Sequence, residues 1–178
     1  MLRIRADLVD EIVAHARREH PNEACGMVAG PEGSDRPERF LPMRNAAADP
    51  DYPGLPNTRT DPETGERIEE LRFGDTFFVF DSKERLALHR DMTARDEEPV
   101  VIYHSHTQTY SEAYPSAIDV ESALEPHAHY VIVGTKDPVR HELRSFRILD
   151  GVVTEEEIDV VESYMFAHTG ADDVPDRD

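Results

Sequence analysis

The chain has 178 residues, suited to one compact domain, with 38% hydrophobic residues, one cysteine and a formal net charge of −19. Nucleic-acid binding rests on neutralising phosphates with Lys and Arg, so this balance excludes it, and it disfavours an anionic membrane surface for the same reason. No stretch approaches the roughly 18 apolar residues of a membrane span, the opening "MLRIRADLVDEIVAHARREH" is too often interrupted by polar residues for a secretory signal, and a lone thiol forms no internal disulfide; a cytoplasmic protein is expected.

Residues 2–4 read as a short strand. The following "DLVDEIVAHARREH" places Leu8, Val9, Ile12, Val13 and Ala16 on one helical face. Asp7 and Asp10 suit the acidic start of that helix, and "HPN" ends it, because a residue before proline is pushed out of helical geometry. Residues 23–30, "EACGMVAG", read as a buried strand, and "RFLPM" as a strand returning after a turn. Residues 46–75 are rich in Pro, Asp and Gly and predict a long loop with at most a brief strand at its end.

"TFFVFD" is apolar and β-prone, and a helix follows from Ser82, with Asp81 and Glu84 in capping-box spacing. "PVVIYHSH", residues 99–106, is the continuous apolar run of a central strand. "SAIDVESALEP" reads as a helix opened by Ser116, "HYVIVGT" as a buried strand and "HELRSFRIL" as a strand open to solvent on one face. The type of "VVTEEEIDVV" stays open. Residues 1–165 are expected to form one domain, with 46–75 as an insertion, and the acidic stretch 166–178 to be disordered. Mixed strands and helices point to a mixed sheet with helices on both faces.

The chemistry gathers in "VIYHSHTQTYSEAYPSAIDV". Residues two apart in a strand share a face, so His104 and His106 point together and Ser105 points away. Residues three apart in a helix share a face, so Ser116 and Asp119 point together. If that helical turn packs over the strand end, two imidazoles and a carboxylate converge. Such a set leaves a fourth position for water, the arrangement of a catalytic rather than a structural zinc site. Glu23, at the mouth of a buried strand, is the candidate base by position. His127 and His129 form a second H-x-H, but no S-x-x-D follows it, and a structural role is expected. Cys25 is expected to be a buried small apolar residue. Ser105 is expected to pack or hydrogen-bond, since no base lies on its face.

In these residues the chain resembles the JAMM (MPN-plus, Mov34/Pad1-type) zinc metalloprotease domains. Their pattern is a Glu in an early strand, then H-[ST]-H, a short linker and S-x-x-D, met here by "NEACGMVAG", "YHSHT" and "YPSAID". The resemblance covers most of residues 1–150. It implies an α/β fold, a cytidine-deaminase-like α/β/α sandwich with a mixed central sheet. It implies one Zn2+ per chain, held by His104, His106 and Asp119 with a catalytic water. It makes Glu23 the general acid/base and Ser116 an oxyanion donor, a role worth about 2–4 kcal/mol of barrier. The linker "TQTYSEAYP" is longer than the family's usual one, with a bulge expected around residues 109–111, and Thr107 stands where proline is commoner.

The family hydrolyses amide and isopeptide bonds, often just after the terminal Gly-Gly of a ubiquitin-like protein. "EAYPS" and "EPHAHYVIVGTKDP" most resemble a bacterial subgroup. That subgroup releases cysteine from the C-terminus of a small ubiquitin-like sulfur-carrier protein in cysteine biosynthesis. The resemblance therefore implies such a carrier as substrate, its tail lying extended beside a sheet edge. A broader isopeptidase is the alternative. A non-catalytic scaffold is disfavoured, because both His, the Asp and the Glu are present.

Overall fold

In a computed structural model, residues 1–107 and 113–164 are described. The expected bulge at 109–111 and the acidic stretch 166–178 lie outside them. Six strands form the central sheet in the order β3 (Arg39–Met43), β2 (Cys25–Pro31), β6 (Glu97–His106), β7 (His129–Gly134), β8 (Glu142–Leu149), β9 (Val152–Glu156). β6 and β7 run parallel and every other neighbouring pair is antiparallel, so the sheet is mixed, as expected. β6 lies between β2 and β7 with both faces covered, which is why it reads as an unbroken apolar run.

Each face of this sheet has its own core. On one, α1 (Ala6–Glu19) lays Leu8, Ile12 and Ala16 against Val28, Val101, Tyr103, Val131 and Val133. His15 shares that apolar face, and its Nδ1 lies 2.8 Å from the Tyr103 hydroxyl. Burial pushes the His15 pKa down, which favours a neutral ring there. Gly26 pairs with Tyr103 across the β2–β6 ladder, and a methyl group at Gly26 would stand 2.4 Å from the Tyr103 hydroxyl oxygen. Close backbone approach therefore requires glycine there. On the opposite face, Met92 of α2 (Ser82–Thr93) packs with Met27, Ile102, Ile132 and Phe146. β1 (Leu2–Arg5) pairs in parallel with β10 (Ile158–Val161), which types the second half of the open "VVTEEEIDVV" stretch as strand. No helix among the described residues is long and apolar enough to cross a membrane.

The stretch 46–75 departs from the expected loop. It holds a 3-10 turn, Ala46–Ala48, and a hairpin of β4 (Leu55–Thr60) and β5 (Arg67–Arg72). Asp61 shapes the hairpin turn by accepting the N–H groups of Glu63 and Thr64 at 2.8 and 2.9 Å, and Gly65 supplies a positive φ of 72°. These strands are mostly exposed and polar, so no alternation of apolar residues announced them. The apolar 76–81 stretch makes only an isolated bridge, Asn45 to Phe80. Asp81 caps α2 by accepting from Lys83 and Glu84 N–H. Glu84 does not close the box; it accepts the Arg44 N–H at 2.9 Å.

His127 is exposed and His129 is buried. The His129 Nδ1 bonds the Glu156 carboxylate, which also accepts from the Ser145 hydroxyl at 2.9 Å and pairs with the Met1 amine at 2.8 Å. Burial alone would raise the Glu156 pKa, but these donors outweigh it and pull it from 4.5 to about 2. A depressed folded pKa stabilises the fold above the ordinary value and loses that contribution as pH falls through the folded one. Glu156→Gln is therefore expected to cost about 2 kcal/mol near neutral pH. It should also flatten the loss of stability between pH 4.5 and about 2. Urea denaturation at stepped pH measures both, and parallel curves for the two proteins would refute the assignment.

Candidate metal centre

β6, α3 (Ala117–Glu121) and the entry to β2 build the site. β6 ends in His104 and His106, whose Nε2 atoms lie 3.1 Å apart. α3 opens beside them, with Ser116 as its N-cap. The Asp119 Oδ2 accepts the Ser116 N–H at 2.7 Å, and the Ser116 Oγ accepts the Asp119 N–H at 3.3 Å, a reciprocal capping box. This box holds the carboxylate over the strand end. Asp119 Oδ1 lies 3.5 Å from the His104 Nε2, and Oδ2 lies 3.5 Å from the His106 Nε2.

Glu23 arrives through strand register. Cys25 sits across from His104, and the ladder continues as Ser105 donates its N–H to the Ala24 carbonyl at 2.9 Å. Extending that register by two residues sets Glu23 opposite His106, on the same face. Ser105, facing the other way, accepts the Ala24 N–H on its Oγ at 2.8 Å. It thus fixes the backbone next to Glu23 and has the hydrogen-bonding role expected of it. Cys25 is fully buried with its Sγ against the Met43 carbonyl, and burial drives its thiol pKa far up, so it is an inert apolar residue, as expected.

One residue had no sequence signal. Asn45 is buried, and its Nδ2 donates to the carbonyls of Glu23 at 3.0 Å and Phe77 at 3.1 Å, with Gly74 at 3.3 Å sharing those two hydrogens. Its Oδ1 accepts from Ala47 and Val79 N–H, each at 3.0 Å. The Glu23 N–H in turn donates to the Gly74 carbonyl at 2.6 Å. One amide thus ties the Glu23 backbone to the 74–79 wall of the site. Asn45→Ala should cost roughly 3 kcal/mol, because it orphans several buried backbone groups at once. A loss below about 1 kcal/mol in chemical denaturation would contradict this. Thr107, in the place of the commoner proline, adds a second tie: its Oγ1 donates to the Asp75 carbonyl at 2.8 Å.

The titration state of the centre follows from its surroundings. Burial lowers the His104 pKa, so the ring is neutral, the form that ligates. Burial would raise Asp119, but His104, His106 and Ser116 outweigh it and hold the carboxyl well below the usual range. Burial pushes Glu23 up to about 8, only partly countered by His106. A carboxyl poised there can both take and give a proton near neutral pH.

Among the described residues, His104, His106 and Asp119 are the group of donors able to hold a metal ion. Tetrahedral zinc with bonds near 2.0–2.1 Å needs donors roughly 3.3 Å apart. The 3.1 Å between the two imidazole nitrogens fits that, each nitrogen has a different Asp119 oxygen at 3.5 Å, and one donor atom from each residue lies within 4.8 Å of the others; the nitrogen–nitrogen–oxygen donor set suits zinc as well. Two hollows flank it. One, about 370 Å³, is lined mostly by charged and polar residues, among them Glu23, Arg72, Asp75, His106, Ser116 and Asp119. The other, about 480 Å³, is apolar and reaches His104 and Asp119 past Phe77, Phe78, Phe80, Ile118 and Leu124. Phe78 stacks on the His104 ring at 4.7 Å between centroids.

Residues 5–149 match the family described as prokaryotic homologs of the JAB domain. The chain belongs to this JAB family. One relative, the CysO-cysteine peptidase of Mycobacterium tuberculosis, is 56% identical over 164 residues, covering 92% of this chain and 94% of that one. The desampylase of Haloferax volcanii is 27% identical over 135 residues, covering 74% of this chain and 78% of its own. The JAB fold seen here is shared with the solution structure of a Desulfitobacterium hafniense protein, at a TM-score of 0.67 and 28% identity, covering 96% of this chain and all of that one. A Salinibacter ruber protein has the same fold at a TM-score of 0.56 and 24% identity, over 92% of this chain and 94% of its own.

Proposed function

We propose that this protein is a zinc-dependent hydrolase that cleaves the amide bond after the C-terminal Gly-Gly of a small ubiquitin-like sulfur-carrier protein and releases cysteine. The identity of 56% with a CysO-cysteine peptidase, over nearly the whole of both chains, carries the choice of substrate. The His104, His106 and Asp119 donors beside a protonatable Glu23 support the chemistry.

His104, His106 and Asp119 would hold the ion. When bound, zinc supplies Lewis acidity, acidifying water and polarising a carbonyl. Glu23 orients the attacking water and takes its proton on the carboxylate. The Ser116 Oγ already accepts the Asp119 N–H, which leaves its hydroxyl hydrogen to donate to the oxyanion of the former carbonyl. Glu23 then passes its proton to the departing amine as the C–N bond breaks. The products are a carrier ending in a glycine carboxylate and free cysteine.

A broader isopeptidase is the second reading, supported by the likeness to a desampylase. One assay separates the two. Purified protein is analysed for zinc, then given a carrier bearing C-terminal cysteine and, separately, an isopeptide-linked conjugate. About one zinc per chain is expected, with the carrier losing one cysteine residue by mass. Absence of metal from carefully purified protein overturns the hydrolase reading. Cleavage of the conjugate alone replaces the first reading with the second.

A further inference from the structure

The polar hollow beside Glu23 is rich in carboxyl groups. Glu23, Glu70, Asp75 and Asp119 all line it, and Arg72 is the one Lys or Arg among its described lining residues. Arg72 ends β5 and is half-buried. Its guanidinium has no hydrogen bond or ion pair with any described residue, unlike the other two arginines of the hairpin. Arg59 pairs with Glu70 at 3.3 Å and Arg67 with Glu69 at 3.2 Å. Arg72 is close enough to Glu23 for its charge to be felt there, against the larger effect of burial. A cation at such a wall, with its donors unspent, is suited to an anion supplied from outside.

The function proposed above identifies that anion. Glu23 must hand its proton to the departing amine, so the departing residue lies on the Glu23 side of the metal donors, in the polar hollow. That residue is the last of its chain and carries a free α-carboxylate two covalent bonds from the amine. Burial keeps Glu23 largely neutral and Arg59 answers Glu70, but Asp75 and Asp119 would still repel this charge if nothing opposed them. Guanidinium offers a planar fork that grips a carboxylate through two parallel hydrogen bonds. We propose that Arg72 binds the α-carboxylate of the residue being released, so that the site reads the end of a chain. In an isopeptide conjugate the departing nitrogen is a lysine Nζ with no free carboxylate beside it. Arg72 therefore also separates release of a terminal residue from removal of a modifier. This inference rests on the carrier–cysteine reading.

The test uses one carrier in two forms, ending in Gly-Gly-Cys with a free carboxylate or with a carboxamide. The quantity read is the ratio of kcat/KM for acid over amide, in wild type, Arg72→Gln and Arg72→Lys. Wild type should favour the acid about tenfold or more, the worth of one charge-assisted contact. The ratio should fall to near one in Arg72→Gln and recover in part in Arg72→Lys. Binding of both carriers to Glu23→Gln protein, with and without Arg72→Gln, is followed by calorimetry and should show the same collapse without turnover. An acid-to-amide ratio unchanged by Arg72→Gln, with wild type cleaving the carrier normally, overturns the role of Arg72 alone. Failure of wild type on both carriers, with cleavage of an isopeptide conjugate, overturns the functional reading and the Arg72 role with it.

Discussion

Glu23→Gln should abolish hydrolysis and leave the metal in place. The amide has the shape of the carboxyl and is neutral, so it fits a pocket whose burial already resists charge, with Glu23 only 5% exposed. It cannot take a proton from water or return one to an amine. General acid–base groups contribute about 10²–10⁴ in rate, and kcat should fall within or beyond that range. Zinc content should stay near one per chain, because the three donors lie on β6 and α3 and Glu23 is not one of them. Elemental analysis beside a mass-spectrometric assay reads both quantities on one sample. Activity close to wild type would remove Glu23 from its role, and loss of zinc would recast it as a ligand.

Asp119→Asn should lose the metal as well as the activity. The carboxylate faces both imidazoles at 3.5 Å and is held ionised by them. Asparagine keeps one oxygen but brings no charge to offset a dication. Affinity for zinc should drop by more than about 100-fold, since even groups that merely orient a ligand cost 10–100-fold when removed. The same residue closes the cap of α3 by accepting the Ser116 N–H, so a second effect is expected. Metal-free protein should lose about 1 kcal/mol, the usual worth of a helix cap. Competition with a coloured chelator measures the first, and thermal melting in chelator measures the second. Unchanged zinc affinity would take Asp119 out of the donor set.

The histidine pair and the Ser116–Asp119 pair were legible because each obeys a local period, two for a strand and three for the first turn of a helix. Local geometry also explains why they meet: the capping box that starts α3 is what aims Asp119. Glu23 is different. Its position against His106 comes from the β2–β6 register, a long-range pairing that no local pattern encodes, and only the motif resemblance pointed to it with any force. Asn45 was illegible for a related reason. In "RNAAAD" it reads as an ordinary loop residue, and its importance arises from burial among carbonyls of two distant segments. The hairpin 55–72 escaped notice because neither face is buried enough to impose an apolar alternation. The sandwich itself was readable, since strands and helices buried on one or both faces carry strong patterns.

That hairpin forms a sheet of its own, with no ladder to the six-stranded one. Where the chain leaves it, Gly74 donates its N–H to the Ala47 carbonyl and accepts the Glu23 N–H on its own carbonyl. A hairpin of another length or charge between residues 54 and 73 is expected to leave in place the β2 and β7 ladders that hold the histidine strand. With Arg72 reading the departing carboxylate as proposed, engineering of new cleavage preferences should begin at this hairpin rather than at the metal.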